Sequence, residues 1–263
     1  MKWNKKRLLS VLAVSAWSAV AILFFMGASA AVESKSHRGI TKVDYHLIHL
    51  TDGNDLITVE EIKDKIVKTY NLDLIGVEVD LLDLEELENI LRKEAFISVA
   101  DAYIDAKEVL HIDIIQRTPV LRVMGLDGSN YYLDVDGYKL PLSKHFTARV
   151  PIVSGKVSDY HEGFLKEKNS LRSAYNLIKA SREDDLLGAW LEGIYVHNDG
   201  DLWLSGNVGD FKVIFGDDSD LEKKVKKMST FFKEGLKVTG WRNLETINLK
   251  YDKQVVTKAP SKV

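Results

Sequence analysis

The chain has 263 residues, room for one large domain or two small ones, with 45% apolar and 29% charged residues. This composition excludes a disordered, collagenous or low-complexity chain, and a net charge of −3 carries no nucleic-acid signature. With no cysteine, a disulfide framework, a thiolate metal site and a cysteine nucleophile are excluded too.

Charge is segregated at the start. Lys2, Lys5, Lys6 and Arg7 precede Leu8 to Ala31, which is free of charged residues. A helix of that length spans about 36 Å, more than a hydrocarbon core of about 30 Å. The pattern predicts a single membrane-spanning helix over 8–31 with the basic tail 1–7 in the cytoplasm. Ala28-Ser29-Ala30 has the small-residue form of a signal-peptidase site, so cleavage is the alternative. An uncleaved anchor is favoured because the apolar run exceeds the 7 to 15 residues of a signal core.

After a polar linker, 32–39, residues 40–50 alternate through Val43, Tyr45 and Leu47 and predict a strand. A turn cluster at 51–55 leads to Thr58 and Glu61, spaced as a capping box. Ile62, Ile66, Val67 and Tyr70 continue as the inward stripe of a helix. A second helix is expected from Asp83, with Leu84, Leu87, Ile90 and Leu91 inward. Strands follow over 98–104 and 109–116, the latter with Leu110, Ile112 and Ile114 on one face and His111 and Asp113 on the other. The order strand, helix, helix, strand, strand over 40–118 describes a small α+β unit.

From Pro119 to residue 257 the signal is a mixed, β-rich domain with flanking helices. Strands are expected at 121–124, 131–134, 149–153, 189–197, 202–205 and 211–215, with a hairpin turn at Asp136-Gly137. Asn169 to Arg182 reads as a helix with Leu171, Tyr175 and Ile178 inward. Leu221, Val225, Met228, Phe232 and Leu236 mark another. A last extended stretch covers 246–257, before a polar tail at 258–263.

No catalytic, cofactor or metal site is read from the sequence. It has no H-E-x-x-H, G-x-S-x-G, Walker or dinucleotide glycine pattern. His46 and His49 are three apart, which on a strand places them on opposite faces. Asp134 to Gly137 lacks the later ligands of a calcium loop. The acidic group from Glu78 to Glu88 suits a helix start, and Lys223, Lys224, Lys226 and Lys227 read as a solvated helix face.

Several stretches, in order, resemble the bacterial FtsQ/DivIB cell-division family. Val109 to Pro119 is similar to that family's strand ending in E-R-x-P, with Gln116 in place of the usual acid. Tyr131 to Gly137 resembles its D-x-x-G hairpin. Phe215-Gly216, the lysine-rich helix and Ile247 to Asp252 are similar to its ending, with Asn248 for the usual Asp and Lys250 for the usual Arg.

The resemblance implies a POTRA unit followed by a β domain in a non-enzymatic scaffold of the inner membrane at the division septum. It implies FtsB-like and FtsL-like partners, bound by the last strand. The residues expected there are Ile247, Leu249, Lys250, Tyr251, Gln254, Val255 and Val256, with Lys250 facing an acidic partner residue. Leu249, Val255 and Val256 have core positions as their alternative. Two other functions stay open: a POTRA-bearing assembly or translocation factor, and a secreted periplasmic hydrolase.

Overall fold

Thr58 accepts a hydrogen bond from the Glu61 amide, and the Glu61 carboxylate takes the Thr58 amide in return. This reciprocal cap starts the first helix, α1 (Val59–Tyr70), by satisfying amides that the helix cannot pair internally. Asp83 caps α2 (Leu84–Arg92) through the Glu86 amide. A computed structural model describes the chain at Trp17, Ile22, Leu23, Met26 and residues 38–260. Among the described residues no helix is long and apolar enough to cross a membrane. The tail 1–7 lies outside the described residues, as does the expected span 8–31 apart from the four helical positions named.

The described residues form two compact units, one of residues 38–48 and 58–115 and one of residues 49–57 and 116–260. In the first, β1 (Lys42–Ile48), β2 (Ile97–Ile104) and β3 (Val109–Gln116, its last residue grouped with the second unit) make a sheet of order β1-β3-β2. β1 runs parallel to β3, with Asp44 opposite His111 and His46 opposite Asp113. Leu110, Ile112 and Ile114 are fully buried, with Leu87 and Leu91 of α2 and Ile62 and Ile66 of α1. Val67, expected in the α1 stripe, is 44% exposed: its position one residue past Ile66 turns it off the buried face.

The second unit is a nine-stranded sheet of order β12-β11-β10-β9-β8-β7-β4-β5-β6. Its strands are β4 (Pro119–Gly125), β5 (Asn130–Asp134), β6 (Lys139–Leu140), β7 (Ile152–Gly155), β8 (Leu191–Val196), β9 (Leu202–Gly206), β10 (Lys212–Gly216), β11 (Thr246–Asn248) and β12 (Val256–Lys258). Leu121, Val153, Ile194, Leu204 and Val213 share a core with Leu171, Tyr175 and Ile178 of α3 (Ser170–Arg182). Asn169 caps that helix through the Arg172 amide. The architecture is therefore mixed α+β, a small three-stranded unit and a β-rich one.

Four local expectations need correction. The strand expected at 149–153 begins at Ile152, after Pro151, which has no N–H to give to a ladder. Ala189 and Trp190, expected in a strand, belong to a short helix, α4 (Asp185–Trp190). The Asp184 cap holds that helix, and the indole N–H of Trp190 donates to the Val208 carbonyl (2.9 Å). The helix expected from Leu221 to Leu236 is α5 (Leu221–Thr230), a π turn over Phe231–Gly235 and α6 (Leu236–Thr239). The wider turn absorbs the successive four-residue steps from Met228 to Phe232 to Leu236 and keeps all three buried. Finally, 246–257 is not one extended segment: two short strands flank a loop at 249–255.

Asp184 links α4 to the helix after β10. One carboxylate oxygen accepts the Leu186 and Leu187 amides; the other accepts Ser229 Oγ (2.6 Å) and Lys233 Nζ (2.7 Å). Lys233 foremost, with Ser229, holds its pKa at about 2, below the ordinary carboxylate value. A carboxyl depressed on folding stabilises above its unfolded pKa and loses that contribution as pH falls through the folded one. Thermal melts should therefore show stability falling between about pH 4 and pH 2. An Asp184→Asn variant should show a smaller fall over the same interval.

Candidate protein-docking edge

β11 pairs parallel with β10, and β12 closes the sheet antiparallel to β11, with Ile247 opposite Thr257. β12 is the terminal strand, and Val256, Thr257 and Lys258 are all exposed. The Lys258 carbonyl accepts the Glu245 amide (2.8 Å), so Lys258 turns its backbone groups inward. Successive residues of a strand alternate, which directs the N–H and C=O of Thr257 outward. An outward row of unpaired backbone groups is a template for another extended segment.

The loop before β12 is held tightly. The Leu249 amide donates to the Ile214 carbonyl (2.9 Å), and the Lys250 amide to Asn248 Oδ1 (2.9 Å). Lys227 Nζ donates to the carbonyls of Leu249 (2.8 Å) and Tyr251 (2.5 Å). Burial lowers the pKa of Lys227, which the charge of Asp252 partly offsets. Tyr251, anchored through its backbone, leaves its side chain 50% exposed.

The structure redistributes the residues expected at the interface. Ile247 and Leu249 are fully buried in the core, so their side chains face away from any partner. Lys250 is bound to Asp201 (2.6 Å), which raises its pKa and occupies the charge expected to meet a partner's acid. Tyr251, Gln254 and Val256 are exposed, whereas Val255 is half-buried against the core. Thr257 and Lys258, missing from the expected set, form the strand with Val256. Thr257 ends the extended stretch expected at 246–257, whereas Lys258, expected in the polar tail, belongs to β12. A groove of about 500 Å³ lies beside Val255, lined by Phe231, Thr230, Gly235 and the stems of Lys226 and Lys227.

A second, charged groove of about 680 Å³ opens between the 199–201 turn, the start of α5 and the 249–252 loop. Four of its five lysines are engaged: Lys250 with Asp201, Lys224 with Asp217 (3.0 Å), Lys223 with Asp220 (2.8 Å) and Lys227 with carbonyls. Of these contacts, Lys250 to Asp201 and Lys227 to the Leu249 and Tyr251 carbonyls hold the 249–252 loop.

Two of the stretches that carry the family resemblance, 109–119 and 131–137, meet through Arg117 and Asp134. Gln116 accepts the amides of Leu56 (2.7 Å) and Ile57 (3.4 Å) and donates to Asp55 (2.7 Å). Arg117 pairs with Asp134 (2.9 Å) and lies over the Tyr138 ring, 4.1 Å from its centroid. Asp134 also accepts the amides of Asp136 (2.9 Å) and Tyr138 (2.7 Å), closing the hairpin in which Gly137 has φ 85°. A side chain at that φ would be strained, which accounts for glycine there.

Residues 118–258, more than half of the chain, match the family model described as FtsQ/DivIB, C-terminal related. The chain belongs to the FtsQ/DivIB family. Residues 47–115 match a POTRA-like domain. No curated protein matches the chain. FtsQ/DivIB membership carries a cell-division role, partners within the divisome and a septum-associated membrane setting. The family's members are division proteins rather than enzymes.

Proposed function

We propose that this FtsQ/DivIB protein is a divisome scaffold that links membrane-anchored division proteins through extracytoplasmic contacts, coupling septum assembly to peptidoglycan synthesis. It works by binding and performs no catalysis. Residues 8–31 anchor it in the inner membrane, with the N-terminus cytoplasmic and the bulk of the chain periplasmic. An FtsB-like segment adds to β12 as a further strand, and an FtsL-like protein joins through it. The observation that carries this reading is the exposed terminal strand β12, with the outward backbone groups of Thr257 and the half-exposed ring of Tyr251 beside it. Tyrosine buries a large amphipathic surface at small entropic cost, the quality of an interface hot spot.

The test is capture of the extracytoplasmic segments of the FtsB-like and FtsL-like proteins of the same organism by the full chain in detergent. Capture should weaken about 30-fold with Tyr251→Ala, the size of a hot-spot loss near 2 kcal/mol. Capture unchanged by that substitution moves the site away from Tyr251. No capture, with bait and prey both folded, overturns the scaffold reading.

A further inference from the structure

The three-stranded sheet turns Leu110, Ile112 and Ile114 into the core, so the period of two sends His111 and Asp113 to the opposite face. The parallel register sets Asp44 beside His111 and His46 beside Asp113 on that face. Two histidines and two aspartates, more than sixty residues apart in the chain, thereby form one cluster. A carboxylate oxygen of Asp44 and one ring nitrogen each of His46 and His111 all lie within 4.8 Å of one another. The two imidazoles meet edge to face, with centroids 5.9 Å apart.

Each histidine also has a carboxylate at its other side. His111 Nε2 is 3.5 Å from Asp105, and His46 Nδ1 is 3.5 Å from Asp113. That leaves His111 Nδ1, which is buried and has no hydrogen-bond partner, and His46 Nε2. An orphaned buried nitrogen is costly unless a ligand takes it. The His111 ring is further fixed by stacking on Tyr103, with centroids 4.8 Å apart. Lys42 pairs with one oxygen of Asp44 (2.5 Å).

We propose that Asp44, His46 and His111 bind a Zn²⁺ ion, with Asp105 and Asp113 orienting the two imidazoles from behind. Two imidazoles and a carboxylate suit zinc, whose tetrahedral shell then keeps one position for water. A carboxylate behind each ligating histidine sets its tautomer and raises its basicity. In a chain without cysteine, histidine and carboxylate are the ligands available for such an ion. The ion would tie the edge strand β1 to β3. This site stands independently of the β12 docking edge.

The test is isothermal titration of the untagged full chain in detergent with zinc at pH 7.4. The expected result is one saturable equivalent per chain. His46→Ala and His111→Ala should each abolish it, and Asp105→Asn should weaken it about 10- to 100-fold. His161→Ala and His197→Ala, in the other unit, should leave it intact. Because His111 is packed, circular dichroism accompanies its variant; if that variant unfolds, the exposed His46 decides the question. No saturable binding, or one equivalent that survives His46→Ala, overturns the proposal.

Discussion

Thr257→Pro should weaken capture of the partner segment roughly 30- to 150-fold in a chain that stays folded. The outward amide of Thr257 is the donor that an added strand needs, and proline removes it without touching the inward bond from Glu245 to Lys258. The loss comprises one hydrogen bond and a partner carbonyl left unsatisfied, together about 2–3 kcal/mol. That corresponds to roughly 30- to 150-fold in Kd. Thr257→Val keeps the amide and should bind as the parent does, which separates backbone pairing from side-chain contact. A proline at Val255 would be a poorer probe, because Val255 precedes β12 and packs against the core. Affinity measurement on all three chains, with near-identical melts as the control, decides the matter.

Asp134→Ala should be the most destabilising single change in the second unit, lowering its stability by about 3–5 kcal/mol. Asp134 is 1% exposed and Arg117 14% at the side chain, so the substitution strands a largely buried guanidinium. It also strips two hairpin amides, those of Asp136 and Tyr138, of their acceptor. Urea unfolding followed by tryptophan fluorescence reads this unit through Trp190, Trp203 and Trp241, once Trp3 and Trp17 are replaced by phenylalanine. Replacing Asp134 and Arg117 together with leucine and methionine should cost less than Asp134→Ala alone, because no unpaired charge remains. A double variant as unstable as the single one would show that the hairpin bonds, and not the ion pair, hold the turn.

Much of the architecture was legible because local chemistry and tertiary packing agree. Thr58 with Glu61, Asp83 and Asn169 each announce a helix start that the structure keeps. The alternation of Leu110, Ile112 and Ile114 announces a half-buried strand. What failed was decided by distant contacts. Trp190 looks like a strand residue, yet its place in α4 is set by the Val208 carbonyl and by packing on Phe211 and Phe232. The final stretch reads as one strand because Ile247, Leu249, Val255 and Val256 are all apolar. Its break comes from Leu249 diving into the core and from Lys227 gripping two carbonyls of the loop.

The same limit shaped the view of the sites. Periodicity assigns His46 and His111 each to a strand face, but their encounter needs the β1–β3 register, which no local pattern encodes. Of the residues expected at the last strand, Ile247 and Leu249 are core. Its exposed members include Thr257 and Lys258, residues with no hydrophobic signal. An edge that binds through its backbone has little need of one.

Residue-resolved amide exchange at Thr257, in the full chain with and without the FtsB-like segment, tests the central claim most directly. Strand addition at β12 predicts that this amide, exchanging freely alone, becomes protected in the complex while the already paired Ile247 changes little. A segment that binds tightly and leaves the Thr257 amide exchanging as before would contradict docking at this edge.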